Sequence, residues 1–128
     1  MTLFCYFQIK PQENIKFTLE ERNDLMRLSP DLNLVEADNW SDPFMLQQIS
    51  KWIAEAKATY ILFDIEEQEK IGGLSKVLES LRKKKPRLIF IKGHHSRLEK
   101  MLKMIDAPTQ RIEAGSDWLI KLSKKFSS

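Results

Sequence analysis

Hydrophobic positions along the chain switch repeatedly between a period of two and a period near three and a half. Residues 3–9 form a compact apolar run bounded by Pro11, which predicts a first strand. Thr18-Leu19-Glu20-Glu21 has the spacing of a capping box and opens a helix carrying Leu19, Arg22, Leu25, Met26 and Leu28, ended by Pro30. Residues 32–37 alternate loosely as a second strand. Asp42 then caps a helix with Pro43 at its first position, where a missing amide costs nothing. Met45, Ile49, Trp52, Ile53 and Ala56 fall on one face of that helix.

Residues 59–65 are a third strand, rich in aromatic and branched side chains. Gly72-Gly73 relieves the backbone ahead of the next helix. Ile71, Leu74, Val77, Leu78 and Leu81 make its stripe, and Arg82-Lys83-Lys84-Lys85 place cations at its negative end before Pro86. Residues 87–91 are a fourth strand. A second capping box, Ser96-Arg97-Leu98-Glu99, opens a helix with Leu98, Met101, Leu102 and Ile105 inward. Residues 110–113 make a weak fifth strand, and Ser116 caps a last helix burying Trp118, Leu119, Leu122 and Phe126.

Strict alternation of strand and helix implies parallel strands, right-handed crossovers and helices on both faces of the sheet. Strands buried on both faces read as continuous apolar runs, whereas edge strands are shorter and more polar. Strands one, three and four are apolar throughout and strands two and five are mixed, so the predicted order is 2-1-3-4-5. The expectation is a single three-layer, flavodoxin-like or receiver-like α/β domain over residues 1–128.

Composition narrows the setting. The 128 residues are 42% hydrophobic and 30% charged, enough for a core without staples. The lone Cys5 makes no internal disulfide, residues 1–10 do not read as a signal peptide, and no run spans a membrane. A cytoplasmic protein is expected. The net charge of +3 is uneven: residues 1–64 hold six Lys+Arg against ten Asp+Glu, and residues 65–128 hold fifteen against eight. Such asymmetry suits anionic partners or a head-to-tail self-contact.

In open α/β sheets ligands bind beyond the carboxyl ends of the strands, where the winding reverses. Here that lies between strands one and three. The loops meeting there offer Lys10, Asp38, Trp40, Asp64, Glu66, Lys92, His94, His95 and Ser96 as candidate crevice residues. Carboxylates facing cations and imidazoles suit acid–base work. Lys92, Gly93 and the amides near Ser96 suit an anion, although one glycine is far from a phosphate-loop pattern. Trp40, in a polar loop, reads as a lid or a partner anchor, or as packed on its own helix. The two histidines lack further ligands at metal spacing. No metal and no cofactor is expected.

With Asp64 ending strand three, the layout resembles the receiver domains of two-component signalling, whose phosphoacceptor stands at that position. The resemblance implies a signalling role. Gln8-Ile9-Lys10 replaces the acidic pair that holds Mg²⁺, and Ala114-Gly115 stands where the lysine after strand five is expected. The loop after strand one offers no hydroxyl before Thr18, unlike the phosphate cradle of a flavodoxin.

The expected function is a non-enzymatic regulatory or interaction domain with a protein partner, self-association or an anionic ligand. One alternative is a small enzyme or sensor of a phosphorylated or nucleotide-like metabolite, with Asp64 or Glu66 as base, His94 or His95 as acid and Lys92 as anion holder. A metal-free receiver-like domain is the other. The Arg82–Arg87 run lies at the end of the sheet away from the crevice, without an aromatic platform, so specific nucleic-acid binding is not expected.

Overall fold

Apolar residues in β1 (Thr2–Ile9) alternate between two cores, which fixes the architecture. A computed structural model describes residues 1–112 and 117–127, with only the backbone of Asp117, Phe126 and Ser127. A 3₁₀ turn (Gln12–Asn14) leads to α1 (Arg22–Leu28), β2 (Leu32–Asp38) and α2 (Pro43–Glu55). There follow β3 (Ala58–Ile65), α3 (Leu74–Lys83), β4 (Leu88–Lys92), α4 (Ser96–Leu102), β5 (Thr109–Ile112) and α5 (Asp117–Ser127). The five strands are parallel in the order β2-β1-β3-β4-β5, the flavodoxin-like arrangement expected from the sequence.

Leu3, Cys5, Phe7 and Ile9 point to one face, with Ile61, Phe63, Ile89 and residues of α2, α3 and α4. Phe4 and Tyr6 point to the other, with Leu62, Phe90, Leu25 of α1 and Trp118 and Leu122 of α5. Trp118 stacks on Phe4 with ring centroids 5.2 Å apart and tilts against Phe90 at 6.1 Å. The edge assignment holds: β1 and β3 are buried almost throughout, whereas β2 and β5 alternate with exposed positions.

Several local expectations are corrected. Thr18 does not cap α1; its hydroxyl donates to Glu36 at 2.7 Å, and the helix starts at Arg22. The Glu36 carboxylate also accepts from the Leu19 amide, so it holds residues 18 and 19 against β2 ahead of the helix. The α4 cap is His95 rather than Ser96: its ring accepts from the Leu98 amide, and Glu99 accepts from the His95 amide. On α2 the buried stripe is Leu46, Ile49 and Ile53. Met45 and Trp52, expected inward, are turned toward solvent: the inward stripe is narrower and centred on Ile49, Ile53 and Ala56, with Leu46 rather than Met45 continuing it toward the start of the helix. Asp42 does cap α2, accepting from the Phe44 amide at 2.7 Å, with Pro43 first in the helix. Glu113 of the predicted fifth strand, the Ser116 cap, the Ala114-Gly115 pair and the inward Phe126 lie outside the described residues.

Two glycines hold the strand ends together. Gly72 has φ +63°, and a Cβ there would stand 2.5 Å from the Asn39 carbonyl oxygen. Gly93 has φ +102° and lies against the Ile65 carbonyl. Both positions suit glycine alone, so the loops after β2, β3 and β4 close tightly on one another.

Candidate functional site

Even-numbered residues of β1 point toward α1 and α5, and at its carboxyl end this side of the strand turns polar: Tyr6, Gln8 and Lys10. Gln8 is in register with Asp64 on β3, and Asp64 with Lys92 on β4. Parallel pairing therefore gathers opposite charges at the point where the sheet reverses its winding.

Asp64 is buried there. Its Oδ2 accepts from the Tyr6 hydroxyl at 2.6 Å and from the Lys10 ammonium at 2.8 Å. Lys10 Nζ also donates to Gln8 Oε1 at 3.2 Å. The Gln8 amide binds both backbone groups of Lys16, accepting from its N–H at 2.9 Å and donating to its carbonyl at 3.1 Å. The loop after β1 is thus folded back over the carboxylate. Burial, followed by the Asp64 bond, pushes the Tyr6 phenol well above its ordinary range. Burial, then the neighbouring Glu20 carboxylate, raises Glu21; Lys16 and Lys92 pull the other way. The cavity among Tyr6, Lys16, Glu21, Asp64, Lys92 and Trp118 holds only about 10 Å³. That is space for about one water.

The other candidates fall into two separate places. His95, Ser96 and Glu67 tie the β4–α4 loop to the β3–α3 loop. The Ser96 amide donates to Glu67 at 2.9 Å and holds that carboxyl below its ordinary range. The buried His95 ring is engaged at both nitrogens: Nδ1 accepts from Leu98, and Nε2 stands 2.6 Å from the Glu69 carbonyl. Because a carbonyl only accepts and a backbone N–H only donates, Nε2 donates to Glu69 and Nδ1 accepts from Leu98. His94 is exposed, and Arg111 closes the same loop by donating to the Gly93 carbonyl and to Glu99.

Asp38 and Trp40 belong to the third place, the rim over β1 and β2. Asp38 accepts from the Trp40 amide at 2.7 Å. The Trp40 indole donates to the Lys10 carbonyl at 2.8 Å, yet the residue is 53% exposed. It is held outward by its polar edge rather than packed on α2. With Gln12, Ile15, Phe17, Asp38 and Ser41 it lines an open depression of about 440 Å³. Phe17 is fully exposed and Phe44 is 83% exposed. Glu66 stands beside this rim, accepting from Asn14 at 3.2 Å.

The structure therefore brings Lys10, Asp64 and Lys92 together, separates them from His94, His95 and Ser96, and puts Asp38 and Trp40 on an aromatic rim. Sequence reasoning missed Tyr6, Gln8 and Glu21, and the rim aromatics Phe17 and Phe44. Tyr6 carried a usable signal: it shares the β1 face of Gln8 and Lys10. Phe17 carried one too, an aromatic in a polar loop with no helical or strand partner.

Among the described residues no three of His, Cys, Asp and Glu converge as metal ligands do. No described helix is long and apolar enough to cross a membrane. No protein-family model, no curated protein and no solved structure matches the chain.

Proposed function

We propose that the chain is a non-enzymatic interaction domain of the cytoplasm that docks a protein partner on the aromatic rim at the carboxyl ends of β1 and β2. The observation that carries this is the contrast between two neighbouring places. Where a small ligand of this fold would sit, Asp64 is already bound by Lys10 and Tyr6 around about 10 Å³ of space. A few residues away Phe17 and Trp40 stand in solvent on the lining of an open depression of about 440 Å³, and Phe44 is exposed in the first turn of α2. Large exposed aromatics clustered with a depression are the usual material of a binding hot spot.

The test is affinity capture with wild type, the rim variant Phe17→Ser with Phe44→Ser, and Ile120→Ser on α5 as control. All three side chains are largely exposed, so folding is not at stake. The proposal expects a protein held by wild type and control and lost by the rim variant. A thermal-shift screen of nucleotides and phosphorylated metabolites is expected to be flat. A ligand at a hundred times its dissociation constant would raise the midpoint by roughly ten degrees. Such a hit, abolished by Lys92→Ala, would overturn the reading in favour of a metabolite enzyme or sensor.

One observation favours a second reading, a receiver-like signalling domain: Asp64 ends β3 in a sheet of order β2-β1-β3-β4-β5. In that case partner binding would change with the state of Asp64. Equal binding by Asp64→Asn would remove it.

A further inference from the structure

Apart from Ile120 on α5, the exposed large apolar side chains of the described residues are segregated along the strand axis. Phe17, Trp40, Phe44 and Met45 stand at the carboxyl end of the sheet. Met1, Trp52 and Met104 stand at the amino end, Met1 with its carbonyl bound by the Lys57 amide and Trp52 in the last turn of α2.

Charge is segregated the same way and with opposite sign. The described loops at the carboxyl end, residues 10–17, 38–42, 64–70 and 92–95, carry seven acids and four cations. Two of those cations are taken, Lys10 by Asp64 and Lys16 by Glu20. The loops at the amino end, residues 28–32, 55–58, 82–88 and 103–108, carry seven cations and three acids. Within them Lys85 reaches Asp106 at 3.0 Å, while Arg82, Lys83 and Arg87 are exposed.

Each end thus joins apolar surface to charge, and the two ends match one another. We infer that copies of this chain stack head to tail, the acidic aromatic rim of one copy receiving the basic Arg82–Arg87 end of the next. The inference rests on the rim being the docking surface proposed above, and it names the occupant. Lysine and arginine side chains laid on Trp40 and Phe44 gain cation–π attraction while Glu13, Asp38, Asp42 and Glu66 neutralise their charge. A standard interface takes about 800 Å² from each partner, roughly a tenth of the 7564 Å² the chain exposes. Because the two surfaces differ, the contact is heterologous and extends into open arrays or closes into rings.

The test is sedimentation velocity on the full chain, repeated at about 50 mM and 500 mM salt, since charge attraction between exposed groups is screened over about 8 Å at physiological ionic strength. Wild type is expected to sediment as concentration-dependent assemblies at low salt and to lose them at high salt. A rim reversal, Glu13→Lys with Glu66→Lys, makes both ends basic and is expected to leave monomer. A reversal of the other end, Lys83→Glu with Lys85→Glu and Arg87→Glu, makes both ends acidic and is also expected to leave monomer. An equimolar mixture of the two restores assembly, which a misfolded variant would not do. A wild-type chain that stays monomeric at both salts, or a mixture that stays monomeric, overturns the stacking. If that monomer still captures another protein through Phe17 and Phe44, the docking surface stands and only its occupant was wrong. If it captures none, both fall.

Discussion

The Lys10 ammonium lies 2.8 Å from the Asp64 carboxylate, with both side chains almost wholly removed from water. Breaking such a pair from one side leaves a buried charge without a partner, at a cost of about 3–5 kcal/mol. Lys10→Met and Asp64→Leu are each expected to lose that much in denaturant unfolding. The double variant is expected to be far more stable than the sum of the two, since apolar replacement of both partners is close to neutral. Single variants that cost under about 1 kcal/mol and add independently would show that the pair is not buried in solution.

Cys5 is fully buried in β1, and burial pushes its thiol from 9.0 up to about 12. A thiol-specific reagent at pH 8 is expected to label it no faster than the chain opens, and denaturant is expected to speed labelling by orders of magnitude. The raised value also sets an alkaline limit. A group whose folded pKa exceeds its unfolded one stabilises fully below the unfolded value and loses that contribution as pH rises toward the folded one. Tyr6 is shifted in the same direction. Stability is therefore expected to decline from pH 9 upward, and Cys5→Ala is expected to flatten the first part of that decline. Rapid labelling of the native chain would contradict the burial.

His95 closes the first turn of α4 with Nδ1 and binds the Glu69 carbonyl with Nε2. His95→Ala removes both bonds and is expected to cost roughly 1–2 kcal/mol, the usual range for a lost helix cap. His95→Asn restores an oxygen able to accept from Leu98 and is expected to recover part of the loss. Equal stability of all three chains in urea melts would show that the cap does not form.

Glu67 accepts from the Ser96 amide, which lowers its pKa below 4.5. A depressed carboxyl contributes above its unfolded pKa and loses that contribution as pH falls through the folded value. The wild-type chain is therefore expected to lose stability more steeply than Glu67→Gln between about pH 5 and 3. Parallel acid-side curves for the two chains would remove the bond from the account.

Much of this arrangement was legible in the sequence, and the parts that were not share one cause. Strand order followed from which runs were apolar on both faces, because burial of Leu3 to Phe7 and Tyr60 to Phe63 is a property of the run itself. Asp64, Lys10 and Lys92 were placed at the crossover because register follows from topology. What the sequence did not show is competition between partners. Thr18 fits a capping box, yet the helix starts at Arg22 and the Thr18 hydroxyl is turned to Glu36, eighteen residues on. Ser96 fits a capping box, yet His95, one residue earlier, is the residue whose ring the fold turns inward. Trp40 faces outward because a distant carbonyl, that of Lys10, holds its indole. Local patterns name the candidates for a bond, and only the packed chain decides among them.

Thr59 shows the same competition with no winner. Its hydroxyl is buried on β3 and has no hydrogen-bond partner among the described residues. A buried hydroxyl without a partner forfeits its hydration for nothing, a penalty of about 1–3 kcal/mol. Valine has nearly the same shape, keeps the branched β-carbon favoured in a strand and removes the orphan group. Thr59→Val is therefore expected to stabilise the chain by roughly 1 kcal/mol, the rest being absorbed by small repacking. Thr59→Ala removes the hydroxyl and the methyl together and is expected to fall below Thr59→Val by roughly 2 kcal/mol, the value of the two buried methyls that separate valine from alanine. Urea midpoints of the three chains decide it. A loss of stability in Thr59→Val would mean that the hydroxyl has a partner in solution, such as a buried water, and that the site is polar by design.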